Sequence, residues 1–310
     1  TGVYFDLPLE YGVEYDSTFY FTINQFRIDS LDKPQLPLFE FDGVFYSNNI
    51  FSPLQAKLIT MPDKSLGFIK KTSEEGLGAY NNKIKVFETI QMDSKGLSGK
   101  GYINYHTTNL YYDNIKFFPD SSKAFIDKGY IIEGYDNKNL GPFPDMIITD
   151  MNMGFYYNNK EDSIMLDYFN NDSLPTPIKV YNESGLFTGG LTLNNKGVFA
   201  SGNLEIYNSK ISSNAFDFKD KKFLSRFSDF LLYSDNKLKS SISGEELNID
   251  FDLSINEVYL KPEYEGFASF SFPYSEIKTS ITEGVWDLNN QLFIMEKKPK
   301  TDLSNSYFYS

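Results

Sequence analysis

Apolar and polar residues alternate strictly along several stretches of the chain. Successive side chains of a β-strand point to opposite faces of the sheet, so such a stretch predicts a strand with one buried and one solvated face. In the clearest stretch every second residue from 247 to 255 is apolar: Leu247, Ile249, Phe251, Leu253 and Ile255. A second stretch carries small or apolar residues at alternate positions: Val198, Ala200, Gly202, Leu204 and Ile206.

Two short polar segments lie between such stretches and have the composition of hairpin turns. They are Asp93-Ser94-Lys95-Gly96 and Asn194-Asn195-Lys196-Gly197. Asn and Asp tolerate the left-handed backbone conformation, and Gly adopts it without steric cost, so both segments predict two-stranded hairpins. Only 217–233 offers a helical spacing of apolar residues, and we favour a strand there because the surrounding chain has β patterns.

The two hairpins resemble copies of one unit. Lys95, Gly96 and Gly101 align with Lys196, Gly197 and Gly202. After a gap of one residue, the alignment continues with Asn114, Phe118 and Asp120 on Asn214, Phe218 and Asp220. A period of about 100 residues is longer than one coil of a solenoid, so each unit contains several strands.

Glycines inside predicted strands indicate that the sheet bends. Glycine weakens a strand unless the backbone must bend or approach another chain segment closely. Five glycines occupy such positions: Gly99, Gly101, Gly189, Gly190 and Gly202. We therefore predict an all-β fold with very little helix, made of elongated, stacked antiparallel hairpins of the β-taco, jelly-roll or β-solenoid kind. A soft boundary near residue 140 separates a first repeat unit, 1–140, from a second, 141–310; the two are also compatible with one continuous β structure.

Composition excludes several classes of function. The formal net charge is −13, so the surface repels phosphate backbones and nucleic acid is not an expected partner. The chain has no Cys and a single His, His106, which leaves few nucleophile or metal-ligand arrangements. We expect no enzyme activity, no cofactor and no metal site. The remaining catalytic alternative is a carbohydrate-active pair, Asp250 and Asp252, on the polar face of one strand.

The apolar face of the predicted sheet leaves two functions open. In a structural or interaction scaffold this face packs against another layer and excludes water. In a carrier of lipid or glycolipid, part of it stays open as a hydrophobic groove. The groove would be lined by Val198, Leu204, Ile206, Leu247, Ile249, Phe251 and Leu253. Aromatic clusters at 111–118 and 267–274 suit either core packing or an apolar groove.

Two segments resemble those of a known class of proteins. One is the Lys95–Gly101 hairpin with the following Phe117-Phe118-Pro119-Asp120; the other runs from Ser269-Phe270-Ser271-Phe272-Pro273-Tyr274 to Trp286-Asp287-Leu288. Together they resemble large, repetitive envelope proteins of Bacteroidetes, which are similar to the OstA/LptA-type β-taco family that carries lipopolysaccharide. The resemblance covers most of residues 80–310 and transfers no catalytic residue.

The resemblance implies a location in the periplasm or at the cell surface of a Gram-negative bacterium, in association with the outer membrane. Three Asp-Ser-apolar triplets, at Ser30, Ser163 and Ser173, resemble the O-glycosylation signal of these bacteria. We expect a non-enzymatic scaffold that is a piece of a longer protein. The expected partners are other envelope proteins or neighbouring repeats, with lipid or glycan as further candidates. A carbohydrate-binding module is the second alternative to the carrier.

Overall fold

The computed structural model describes residues 2–4, 15, 17–24, 40–132, 143–149, 153–168, 176–234, 239–264, 270–279, 283–296 and 308–309. These residues contain 26 β-strands and no helix, so none of them forms a helix able to cross a membrane. The strand pairs whose register is described are antiparallel, and most join strands that follow each other in the chain. The predicted all-β class and the stacked antiparallel hairpins are confirmed.

The strands are numbered in chain order. The first thirteen are β1 Gly2–Tyr4, β2 Phe19–Ile23, β3 Glu40–Ser47, β4 Leu54–Thr60, β5 Leu66–Lys71, β6 Leu77–Ala79, β7 Ile84–Asp93, β8 Gly96–Tyr105, β9 Thr108–Phe118, β10 Ser121–Ile126, β11 Lys128–Ile131, β12 Met146–Ile148 and β13 Met153–Asn158. The others are β14 Ser163–Asp167, β15 Ile178–Val180, β16 Gly185–Asn194, β17 Gly197–Ile206, β18 Ser209–Phe218, β19 Lys222–Tyr233, β20 Ser240–Asp252, β21 Glu257–Pro262, β22 Phe270–Phe272, β23 Ile277–Thr279, β24 Glu283–Asp287, β25 Leu292–Glu296 and β26 Phe308–Tyr309.

Contacts divide the chain into two compact units. The first consists of Thr1–Gly129 and Asn152–Ile164, and the second of Tyr130–Met151 and Met165–Ser310. Each unit therefore contains a segment that lies, in sequence, on the far side of the predicted boundary near residue 140. Because compactness does not show which part folds alone, the assignment of 1–140 and 141–310 to two repeat units stays a prediction.

Both predicted hairpins form around the polar turns identified in the sequence. In β7–β8 the Asp93 side chain accepts a hydrogen bond from the Lys95 N–H at 2.7 Å. In β16–β17 the Asn194 side chain accepts one from the Lys196 N–H at 2.8 Å. A short polar side chain that binds the backbone two residues on closes a tight turn, which explains why Asp or Asn begins each segment.

Each hairpin bends at its middle, where the predicted strand glycines lie. Gly189 and Gly202 face each other across β16–β17, and a Cβ atom on Gly202 would lie 2.2 Å from the Thr188 carbonyl oxygen. The next ladder, between β17 and β18, shifts register between Ala200 and Gly202, which is the pattern of a β-bulge. The equivalent pair in β7–β8 is Glu88 and Gly101, and both residues have a positive φ. The glycines therefore allow the bend that the sequence predicted.

The bend folds the first unit's sheet over on itself. A flat β7 of ten residues would keep its two ends roughly 33 Å apart. Yet the hydroxyl of Tyr80, just before β7, lies 2.9 Å from the Phe118 carbonyl oxygen and 2.6 Å from that of Ser121. Gln91, Ser98 and Lys116 form one row across β7, β8 and β9. Phe118 follows Lys116 by two residues, so it lies beside the far end of β7. The two arms of the sheet therefore meet face to face, as in a β-taco.

The two units repeat at an interval of 101 residues, without the gap that the sequence alignment introduced. Ile115 pairs with Gly99 in the first unit, and Phe216 pairs with Ala200 in the second. Strands β9 and β18 also share one order of buried and exposed positions over ten residues, with two exposed residues at the bulge. The bulge lies at the same place in both units, so the one-residue gap placed before Asn114 was wrong.

One strand differs in detail from the sequence interpretation, and one segment with two possible patterns forms the expected strand. The stretch predicted to run to Ile255 ends as a strand at Asp252, and Leu253 begins a turn. The Asp252 carboxylate accepts a hydrogen bond from the Ser254 N–H at 2.9 Å, so local turn formation outweighs the continuing alternation. The segment 217–233, which also offered a helical spacing, forms the end of β18 and the strand β19, as we favoured.

Candidate functional site

The interior between the two arms of each sheet is filled by the side chains of the sheet itself. Six of the seven predicted groove residues have an exposed fraction of 0–1%: Val198, Leu204, Ile206, Leu247, Ile249 and Phe251. Within the second unit, the ring of Phe251 stacks on Phe223 at 4.8 Å and meets Trp286 edge-on at 6.3 Å. The seventh, Leu253, lies half-buried in the turn after β20 and does not belong to this interior row.

A buried tyrosine closes the first unit. Tyr80 has an exposed fraction of 1%, and its hydroxyl lies 2.7 Å from that of Ser122 as well as near the Phe118 and Ser121 carbonyl oxygens. Burial raises the pKa of Tyr80, so the phenol stays protonated and can donate. The Tyr80 ring also packs at 5.2 Å from that of Tyr157.

The second unit has the same tyrosine at the equivalent position. Tyr181 donates to the Lys222 carbonyl oxygen at 2.8 Å, and burial raises its pKa well above the ordinary value. Tyr80 and Tyr181 each begin a turn of three residues with positive φ. The sequence interpretation missed both, although Tyr80-Asn81 and Tyr181-Asn182 stand 101 residues apart in the printed sequence. We call Tyr80 and Tyr181 the closing tyrosines.

The predicted aromatic cluster at 111–118 divides between the two faces of the sheet. Phe117 and Tyr112 lie in the interior, with exposed fractions of 0% and 3%. Tyr111 lies on the outer face, in a row in which Phe87 stacks on Tyr102 at 4.5 Å and Tyr102 contacts Tyr111 at 5.0 Å. Because each ring covers the face of its neighbour, this outer row acts as a cross-strand ladder within the sheet.

An open trough recurs on the outer face of both units, beside the bend. It measures about 300 Å³ in the first unit and about 280 Å³ in the second. Thr89, Lys100 and Asp113 line the first trough, and their counterparts Gly190, Ser201 and Asn214 line the second.

Charge distinguishes the two troughs. In the first trough Lys100 lies 3.6 Å from Asp113, and Lys116 donates to the Lys95 carbonyl oxygen at 2.9 Å. Partial burial lowers the pKa of Lys116. The first trough is therefore lined by charges of both signs, whereas the second has one charged residue, Asp167, and otherwise small polar residues together with Met165 and Phe199.

The carboxylate pair considered for carbohydrate chemistry lies on the outer face of β20, and both members have protein partners. Asp250 forms an ion pair with Lys222 at 2.8 Å, with both side chains more than a third exposed. Burial of Asp252 opposes its ionisation, but hydrogen bonds from Ser254 and the charge of Lys222 outweigh it, so its pKa lies below the ordinary value. A general acid of a glycosidase needs the opposite shift.

The three predicted O-glycosylation positions differ in what the structure describes. Ser163 begins β14, directly after Asp162, and is half-buried. Ser30 and Ser173 lie outside the described residues. Among the residues that the structure does describe, no group of three or more His, Asp or Glu side chains is arranged to hold a metal ion.

Comparisons with known proteins add no relative: no family model, no curated protein and no solved structure matches the chain.

Proposed function

We propose that the chain is a non-enzymatic scaffold of a bacterial cell envelope, a segment of a larger repetitive protein. The observation that carries this proposal is the closed interior. A carrier needs a route for an acyl chain between the arms, whereas Val198, Leu204 and Phe251 lie at 0% exposure among other side chains of the same sheet. The closing tyrosines join the two arms at their free ends, which suits a permanent structure.

A cell-envelope location agrees with two features. Ser163 of an Asp-Ser-Ile triplet lies at the start of a strand, partly accessible to solvent. The resemblance to repetitive envelope proteins supports the same location. We expect the protein in the periplasmic or outer-membrane fraction of a Gram-negative host, with a mass increase from the glycan that is reduced in Ser163→Ala. Recovery in the cytoplasmic fraction would contradict the location.

The scaffold and the carrier predict different behaviour for one interior residue. Leu204→Glu places a carboxylate in the closed interior, so we expect the protein to unfold or to lose more than about 3 kcal/mol of stability. Leu186→Glu is the matched control, because Leu186 lies on the neighbouring strand with an exposed fraction of 42%. We expect the control to fold like the parent protein, as judged by circular dichroism and urea unfolding.

Native mass spectrometry of the protein purified from its own envelope completes the test. The scaffold predicts the mass of the chain and its glycans without lipid. The opposite outcome is a lipid that co-purifies with the parent protein and is absent from a folded Leu204→Glu variant. This outcome would contradict the scaffold proposal and support the carrier. Turnover of a glycan that disappears in Asp250→Asn would contradict the non-enzymatic part of the proposal.

A further inference from the structure

The floor of the first trough is a buried serine with an unpaired hydroxyl group. Ser98 has an exposed fraction of 2%, and its hydroxyl forms no hydrogen bond with any residue that the structure describes. A buried hydroxyl group without a partner costs free energy unless water or a ligand binds it. The second trough has Phe199 at the equivalent position, 101 residues later. The fold therefore does not require a small polar residue there, and Ser98 gives the first trough a polar floor.

Two lysines lie directly opposite each other beside this floor. Lys116 pairs with Ser98 across β8 and β9, and Lys123 pairs with Lys116 across β9 and β10. Both lysine side chains lie on the outer face, and neither forms an ion pair within the described part of the chain. Like charges directly opposite each other on one face of a sheet are unfavourable. An anion bound by both ammonium groups would remove this repulsion.

The lysine pair is a feature of the first unit and not of the repeat. The counterparts of Lys116 and Lys123 are Asp217 and Leu224, which form the equivalent pair across β18 and β19. The formal charge of the whole chain is −13, so two lysines without carboxylate partners are unusual on its surface. The bend, which both units share, explains neither this pair nor Ser98. Together they indicate a ligand that carries a negative charge.

The remaining lining of the first trough suits hydroxyl groups. Thr89 supplies a hydroxyl group, and Gln91 and Asn114 supply amide groups that can both donate and accept. The Tyr156 ring lies 5.7 Å from the Lys123 ammonium group, so apolar surface adjoins the charge. A space of about 300 Å³ is at the lower end of the range of small-molecule sites and exceeds what a single inorganic anion fills. Charge, hydroxyl-binding groups and an adjoining aromatic ring together match an acidic sugar.

We infer that the first trough binds an acidic saccharide. Lys116 and Lys123 hold its carboxylate group, and Ser98 forms a hydrogen bond with one of its hydroxyl groups. The trough is concave and lies beside the bend, so the flat surface of a bilayer does not reach its floor. The formal charge of −13 disfavours nucleic acid. The inference goes beyond the scaffold proposal, because this site lies on the outer face and does not depend on how the interior is filled.

Isothermal titration calorimetry of the full chain with trigalacturonate at low ionic strength tests this inference. We expect saturable binding at a single site, because the second trough has neither the serine nor the lysine pair. Ser98→Phe fills the floor with the residue that the second unit has there, and Lys116→Gln removes one of the two charges. We expect each variant to lower the affinity by about tenfold or more, which for Lys116→Gln is the effect of losing one hydrogen bond to a charged group.

Lys85→Gln is the matched control for charge. Lys85 is exposed on the outer face of β7 but does not line the trough, so we expect this variant to bind trigalacturonate like the parent chain. Maltotriose is the control ligand, because it is a trisaccharide without a carboxylate group. We expect it to bind about tenfold more weakly or less. Circular dichroism of each variant establishes that the fold is retained.

Four results would overturn the inference. The first is no binding of trigalacturonate, and the second is unchanged affinity in both Ser98→Phe and Lys116→Gln. The third is an equal loss of affinity in Lys85→Gln, which would assign binding to the general charge of the sheet. The fourth is binding of inorganic phosphate or of phosphatidylglycerol vesicles that is as strong as that of trigalacturonate. It would assign the lysines to a simple anion site or to a membrane surface.

Discussion

Single tyrosines hold the folded-over sheets closed. A strand bent at its middle has free arms, and burial of apolar side chains alone does not fix how the ends meet. The closing tyrosines add directed hydrogen bonds to the carbonyl groups of Ser121 and Lys222, the first residues of β10 and β19. Because these hydrogen bonds are partly buried, each carbonyl group would lose a partner in a partly desolvated site if the hydroxyl were removed.

The closing tyrosine of the first unit gives a prediction. Tyr80→Phe keeps the ring but removes a hydroxyl that has three oxygen neighbours, so we expect a loss of about 1–3 kcal/mol in the free energy of unfolding. Tyr207→Phe serves as the control, because the Tyr207 side chain is 49% exposed. Urea unfolding measures both variants. If Tyr80→Phe is as stable as the control, the Tyr80 hydroxyl does not hold the sheet closed.

Buried tyrosines also predict instability in alkali. Burial raises the pKa of Tyr15 to about 12, although its hydroxyl accepts a hydrogen bond from the Leu97 N–H. A phenol whose pKa is higher in the folded state than its value of 10.0 in the unfolded chain favours the folded protein below pH 10. This contribution is lost between pH 10 and about 12, by about 1.4 kcal/mol per pH unit for this one group.

The measurement is the free energy of unfolding against pH. We expect it to fall steeply above pH 10 and to fall less steeply in Tyr15→Phe, which has no phenol to titrate at that position. Equal slopes for the two proteins would show that Tyr15 does not titrate differently in the folded state.

Sequence reasoning placed six interior residues on the apolar face correctly but missed the closing tyrosines. Period-two alternation named Val198, Leu204, Leu247 and Ile249 because the pattern depends only on which face a side chain takes. A closing tyrosine lies in a turn and forms a hydrogen bond with a carbonyl group about 40 residues later in the sequence. No local sequence pattern therefore predicts it. The failure at Leu253 has a different cause, since the turn formed by Asp252 and Ser254 ends the strand while the alternation continues.

At the scale of the strand, the bend is the decisive feature. Gly189 and Gly202 allow the backbones of β16 and β17 to approach where a side chain would collide with a carbonyl oxygen. The first unit has Glu88 at the position of Gly189, with a φ of 79°. One glycine of the facing pair, Gly101, is therefore retained in the first unit, and both are present in the second. The sequence predicted the bends from these glycines, but the facing arrangement required the register.

The bend gives a prediction with a control one step along the same hairpin ladder, where Gly190 pairs with Ser201. Gly202→Ala brings Cβ to 2.2 Å from the Thr188 carbonyl oxygen, so the backbone must shift and we expect a loss of roughly 3 kcal/mol or more. Gly190→Ala places Cβ 3.4 Å from its nearest neighbour, the Asp167 Oδ1 atom, and should change stability by less than about 1 kcal/mol. Thermal and urea unfolding report both values. A Gly202→Ala protein as stable as Gly190→Ala would show that close approach at the bend is not required.

At the scale of the whole molecule, one repeat accounts for most of the described chain. The same strand order, bulge, turn and closing tyrosine recur at 101 residues. The repeat was visible in the sequence through Lys95, Gly96 and Gly101, because turn and bend residues are constrained more than surface residues. The one-residue error in the alignment arose at the bulge, where exposed residues such as Asp113 and Asn214 carry little structural information.

The central claim is that each unit is a sheet folded over on itself, and a distance between two spin labels tests it most directly. The chain has no Cys, so labels attach only at introduced positions. In Lys83→Cys with Asn159→Cys, one label lies beside the start of β7 and the other beside the turn after β9, where the Lys83 Nζ atom contacts the Asn159 carbonyl oxygen at 2.6 Å. The folded-over sheet predicts an electron–electron distance below about 20 Å. A flat sheet would separate the labels by roughly 33 Å or more, and a distance distribution centred there would contradict the account.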